Sequence, residues 1–177
     1  VFQDCAARHR ERVFVRSEDE TVTYGQANEI ANRYAAVLAA RGVERGDVVA
    51  IMLENSPPTV LLMLAVVKLG AIAGMLNHHH RGKALAHSID LLNAKVLIGE
   101  DTLLEAIDEA GAKVADTITI DELQRLSADA STGNPAVTSS VLAKDQAFYI
   151  FTSGTTGAPK ASVMTHYRSL RALGGSG

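Results

Sequence analysis

Along the chain, short continuous apolar runs alternate with segments whose apolar positions recur every three or four residues. The runs are VVAIML (48–53), AIAGML (71–76), KVLIG (95–99), TITI (117–120) and QAFYIF (146–151). Helical periodicity fills residues 57–70, 83–92, 102–110 and 121–127 between them. Uninterrupted apolar runs of four to six residues mark strands covered on both faces, and their alternation with helices predicts an α/β fold: a mainly parallel sheet with flanking helices. Ahead of this unit the pattern differs. VFQDCAARHRER has helical spacing at Val1, Cys5 and His9, and a hairpin over 13–17 and 21–23 follows, turning at 18–20. Thr23 is then placed as an N-cap whose capping box is completed by Gln26, opening a helix that runs to Arg41 and stops at Gly42.

Residues 59–76, TVLLMLAVVKLGAIAGML, are apolar for nearly the length of a bilayer span. Lys68 stands at the centre, where insertion would cost roughly 2.5 to 3.5 kcal/mol, and Gly70 and Gly74 interrupt the second half. A buried helix leading into a buried strand accounts for the stretch better. SADASTGNPAVTSS (127–140) has the composition of a surface loop and separates the first αβ unit from the strand at 146.

With 177 residues, 47% hydrophobic and 21% charged, the chain can bury the core of one ordinary domain. A net charge of −3 gives no global basic field, so nucleic acid is not expected as a partner. Cys5 is the single cysteine, which excludes an internal disulfide and fits a reducing compartment. The first residues lack a basic stretch followed by an apolar one, and a cytoplasmic location is expected, with peripheral contact to a membrane left open. Arg8, Arg10, Arg12 and Arg16 compose a weak basic patch that Glu11 and Glu18 dilute; they are read as an exposed face. In the run His78–His79–His80, extended backbone would turn neighbours to opposite faces, so only His78 and His80 could share an ion, too few for zinc. Tyr149 and Phe151 are expected to pack on one side of the sheet.

The stretch with the most specific chemistry is FTSGTTGAPK (151–160). Leaving a strand end, Gly154 and Gly157 permit successive N–H groups to converge on one concavity suited to phosphate oxygens. The hydroxyls of Thr152, Ser153, Thr155 and Thr156 add donors, and Pro159 fixes the exit so that Lys160 can return a positive charge. The spacing is not that of a Walker A loop, since Pro159 rather than glycine precedes the lysine. From composition alone, a flexible Gly/Thr turn with an exposed lysine fits as well.

YIFTSGTTGAPKASVMTH (149–166) resembles the phosphate-loop signature of the adenylate-forming superfamily, which includes acyl-CoA synthetases, luciferases and peptide-synthetase adenylation domains. The likeness runs unbroken from Thr152 to Gly157 and resumes at Pro159–Lys160. Ala161 replaces the glycine common after the lysine, as in the fatty-acid transport and very-long-chain branch. YGQANEIANRYAAVLAARGVERGDVVAIMLENS (24–56) is similar to the family's opening helix and first strand, and LGAIAGMLNHHHRGKALAHSI (69–89) resembles the same branch around Asn77 to Arg81.

This resemblance implies that Thr152, Ser153, Gly154, Thr155, Thr156, Gly157 and Lys160 hold the β and γ phosphates of ATP, with Thr152 also touching Mg2+. It implies that a fatty-acid carboxylate attacks the α-phosphate to give acyl-adenylate and pyrophosphate, and that the thiolate of coenzyme A then displaces AMP. Lys160 would be the catalytic charge that orients and neutralises, rather than a base. By the same likeness, residues 1–177 are expected to be a partial N-terminal AMP-binding domain: an αβ subdomain (1–126), a loop (127–145), a strand, phosphate loop and following helix (146–173), and a flexible tail (174–177). The family's chains are several times longer, and the adenine, ribose, acyl and coenzyme A contacts of the family are not found here. A fragment of a fatty-acid–CoA ligase, inactive by itself, is therefore expected. A non-catalytic nucleotide-binding module, or adenylation of an aryl or amino acid, is the alternative. Oligomeric state and acyl-chain length are not legible.

Overall fold

The computed structural model describes residues 1–152 and 159–173. The chain opens with α1 (Phe2–Arg8), the hairpin β1 (Val13–Arg16) and β2 (Thr21–Thr23), and α2 (Tyr24–Ala40). The regular part follows: β3 (Val48–Met52), α3 (Pro57–Lys68), β4 (Ile72–Met75), α4 (Gly82–Leu92), β5 (Val96–Gly99), α5 (Asp101–Glu109), β6 (Asp116–Thr119) and α6 (Ile120–Ser127). A short 3-10 turn at Ala136–Ser140 leads to β7 (Gln146–Thr152), β8 (Lys160–Thr165) and α7 (His166–Leu173).

Six strands form one sheet in the order β6-β5-β3-β4-β7-β8. All neighbours are parallel except β7 and β8. The α/β reading of the sequence therefore holds. Side chains alternate between two cores, as the pleat requires. Val49, Ile51, Val96 and Ile98 face the α2, α3 and α6 side. Ala50, Met52 and Leu97 face α4 and α5. Both faces of the central strands are covered, which is why their sequences read as unbroken apolar runs. Each fully buried Leu, Ile or Val contributes about 1.5 to 3 kcal/mol of transfer free energy.

Local signals act as the residues predict. The Thr23 hydroxyl accepts from Gln26 N at 3.3 Å while the Gln26 side chain accepts from Thr23 N at 2.8 Å, closing the capping box. Gly42 takes φ +80°, a conformation that stops α2 beyond its Arg41 cap at little cost only for glycine. The apolar stretch 59–76 becomes α3 and β4, and among the described residues no helix is long and apolar enough to cross a membrane.

Three expectations need correction. The hinge is followed first by a strand, β8, antiparallel to β7, and only then by the helix: Lys160–Thr165 bears few charges and pairs along the free edge of β7. The segment 127–145 is not wholly irregular, since Ala136–Ser140 makes a 3-10 turn. Finally, β7 is half-exposed rather than buried, with Ala147 its one fully buried residue. Its outer neighbour is the edge strand, so little of the chain lies over it.

Candidate nucleotide site

Because β3, β4, β5 and β7 are parallel, their carboxyl ends open on one edge, where α/β sheets bind ligands. Strands β4 and β7 are direct neighbours, with Met75 opposite Ile150. The chain leaving β4 turns sharply at residues 77–81. Asn77 Oδ1 accepts from His79 N at 2.9 Å, and His80 N donates to Asn77 O at 3.0 Å. Arg81 spends its guanidinium on the turn itself, donating to the carbonyls of His78 (2.6 Å) and His80 (2.8 Å). The His78 and His79 rings lie in contact with their centroids 3.9 Å apart, tilted by 49° rather than stacked. Among the described residues no group of three His, Cys, Asp or Glu could hold a metal ion.

The chain leaving β7 carries the predicted phosphate loop. Thr152 and Lys160 are cross-strand partners at the last rung of the β7–β8 ribbon, with Cα atoms at the usual antiparallel spacing of about 5 Å. Both are exposed at the sheet's carboxyl edge, and Pro159 between them is buried. Ser153, Gly154, Thr155, Thr156 and Gly157 lie outside the described residues. What the fold supplies is a frame: a threonine and a lysine paired across the two strands at either end of the hinge. Tyr149 and Phe151 pack on the α4–α5 side of the sheet, as expected.

Beyond β8 the chain is tied back to the start of β7. His166 N donates to Asp145 O at 3.0 Å and Tyr167 N to Ala143 O at 2.8 Å. Burial holds the His166 imidazole below its ordinary pKa, against the upward pull of Asp145. The Asp145 carboxylate accepts from Leu142 N at 2.9 Å and from Arg45 at 2.5 Å; these bonds keep it below the usual carboxylate range. Sequence reasoning missed this clamp, because Arg45 and Asp145 are 100 residues apart and each looks like an ordinary surface charge. Lys68 was seen only as an interruption of a membrane span. Its position inside an apolar run was the signal of a second polar cluster.

The architecture defines an α/β domain with a mainly parallel sheet, in which Thr152 and Lys160 pair at the carboxyl edge on either side of the hinge. The chain belongs to the AMP-binding enzyme family, whose model matches residues 2–176. It is 62% identical to the medium/long-chain-fatty-acid–CoA ligase FadD6 of Mycobacterium tuberculosis, over 98% of this chain and 30% of that protein. It is 34% identical to long-chain fatty acid transport protein 2 of Rattus norvegicus, over 95% of this chain and 30% of that one. Among solved structures, the inhibitor-bound N-terminal domain of FACL13 from Mycobacterium tuberculosis superposes with TM-score 0.82 at 32% identity, covering 93% of this chain and 43% of that one. The N-terminal subdomain of NpsA from Klebsiella oxytoca superposes with TM-score 0.79 at 27% identity, over 99% of this chain and 43% of that one. The chain thus spans about 30% of the length of the curated relatives it matches.

Proposed function

We propose that these residues serve an ATP-dependent fatty-acid–CoA ligase as one wall of its nucleotide site, and that the 177 residues do not catalyse the reaction by themselves. The observation that carries this reading is the pairing of Thr152 with Lys160 at the carboxyl end of β7, in a chain 62% identical to a medium/long-chain-fatty-acid–CoA ligase. In this reading Thr152 and Lys160, with residues 153–157, bind the β and γ phosphates of ATP. The acid's carboxylate oxygen forms a bond to the α-phosphorus as the bond to pyrophosphate breaks. Lys160 stabilises charge on that leaving group and takes no proton. The coenzyme A thiolate then attacks the acyl carbonyl and releases AMP. Mg2+ fits only as a phosphate-bound ion, since Thr152 offers a single hydroxyl and the described residues hold no carboxylate or imidazole cluster for it; magnesium commonly binds with few protein ligands plus substrate phosphates, whose charge it would neutralise.

Fatty acids are favoured over aryl acids because identity to FadD6 is 62% against 27% to the NpsA subdomain. The test is fatty-acid-dependent pyrophosphate–ATP exchange. A ligase of the relatives' length carrying these residues should show it, and Lys160→Ala should slow it by roughly 10² to 10³, the scale for losing one preorganised electrostatic donor. The 177-residue chain should show none. Exchange by the short chain, or an unimpaired Lys160→Ala ligase, would sink the corresponding half of the proposal.

A further inference from the structure

The apolar helix α3 ends on a charge that the nucleotide site does not use. Lys68 is only 4% exposed, and its ammonium donates to two amide oxygens, Asn28 Oδ1 on α2 at 2.6 Å and Asn134 Oδ1 at 2.7 Å. Burial lowers its pKa to about 8. A buried cation held by neutral acceptors is desolvated without the return that a carboxylate would give. A methionine would fill much the same volume with no such penalty, so the ammonium has to be explained by what it holds.

What it holds is the crossover between α6 and β7, and the contacts gather at the end of α3. Asn134 sits on the exposed crossover and caps the Lys68 head. Four residues later, Thr138 donates its hydroxyl to the Lys68 carbonyl at 2.7 Å. Three residues beyond that, Val141 lies against Gly70, where φ is +69° and an added Cβ would come within 3.2 Å of the Val141 side chain and 3.0 Å of Arg45. Asn32 of α2 adds a bond to Thr132 O at 2.6 Å and a longer one to Asn134 Oδ1 at 3.3 Å. Arg45 then grips Asp145, the residue immediately before β7. From 132 to 145 the chain has only one 3-10 turn of regular structure, so these side-chain bonds decide where it runs.

We propose that Lys68 is a positioning residue for β7: by tying Asn134 to Asn28 it seats the crossover on the end of α3 and so fixes the strand that delivers Thr152 opposite Lys160. Its effect on ATP rests on the function proposed above; its effect on the crossover does not.

The test is hydrogen–deuterium exchange by peptide mass spectrometry on the 177-residue chain and its Lys68→Met, Asn134→Ala and double variants. Asn134 is exposed, so Asn134→Ala reports even where Lys68→Met compromises folding. Losing a hydrogen bond to a charged group should speed exchange in peptides covering 132–152 by about tenfold or more. Peptides from β5 and α4 should be unchanged, and the double variant should be no faster than the faster single one. Acceleration spread evenly over the sheet, or two effects that simply add, would overturn the proposal. In the longer ligase, Asn134→Ala should raise KM for ATP several-fold while kcat holds. An unchanged KM for ATP there would overturn the positioning role. A wild-type ligase without fatty-acid-dependent pyrophosphate–ATP exchange would instead sink the functional reading, and the crossover would still be judged on the amide data.

Discussion

Strands β5 and β7 look alike as sequence, each a short apolar run after a polar loop, yet the fold treats them differently. Every residue of β5 is buried, between β3 and β6 and under helices on both faces. Of the seven residues of β7, one is fully buried, and Ile150 is 39% exposed. One strand is therefore held by apolar packing. The other relies on its ladder to β4, on the edge strand β8 and on polar ties to the crossover before it. The half of the sheet that carries the candidate site is the half with less core of its own, in keeping with function residing on the less stable elements of a fold.

The largest test of that contrast is Ile98→Ala. Ile98 is fully buried in β5, and deleting such a side chain removes transfer free energy and leaves a cavity, at a cost of about 2 to 5 kcal/mol. Urea unfolding should show a correspondingly lower midpoint with an unchanged slope. A loss below about 1 kcal/mol would mean that the β5 side is no better packed than β7 and would remove the comparison.

This contrast also separates what could be read in the sequence from what could not. Where both faces of a strand are covered, the apolar run gives the element directly, and β3, β4, β5 and β6 fall within two residues of their expected bounds. Capping is equally local, so Thr23–Gln26 and Gly42 are legible from a few residues. Strand β8 was missed because KASVMT carries no long apolar run; its structure comes from pairing with β7, a tertiary effect. Of the candidate site, Thr152 and Lys160 could be named from the motif, but their cross-strand pairing depends on β8. The Lys68–Asn134 bond joins residues 66 apart, and no local pattern in a single sequence announces it.

A middle-sized test uses pH. In the folded chain Lys68 has a pKa lowered by burial from the ordinary 10.5 to about 8. Below pH 8 both folded and unfolded states carry the proton, and the full cost of the buried charge is present. Between about 8 and 10.5 the unfolded state binds more protons than the folded one, so stability rises with pH across that window. The gain is at most about 3.5 kcal/mol, from roughly 1.4 kcal/mol per pKa unit over the shift from 10.5 to about 8. Tyrosine 34, whose pKa burial raises, acts in the opposite direction at the top of the window. The quantity to measure is therefore the unfolding free energy of the wild type minus that of Lys68→Met at pH 7.5 and pH 9.5. The difference should shift in favour of the wild type at the higher pH. A difference independent of pH would show that the ammonium is solvated, leaving the crossover no buried charge to hold it.

The smallest expected effects lie on the β7–β8 ribbon. Ile150 and Val163 are 39% and 40% exposed and occupy opposite faces of the two paired strands. Threonine at either position keeps the β-branch that suits a strand and replaces apolar surface that the chain does not fully bury. Ile150→Thr and Val163→Thr should each change stability by no more than about 0.5 kcal/mol, read from the same urea transitions as Ile98→Ala. Were either variant to cost as much as Ile98→Ala, that face would have to be covered in solution by something beyond these residues. A cost that grows with protein concentration would identify the cover as a second copy of the chain. A near-zero cost at both positions, beside a large one at Ile98, would establish that strand β7 is placed by its ladder and its polar ties rather than by a core.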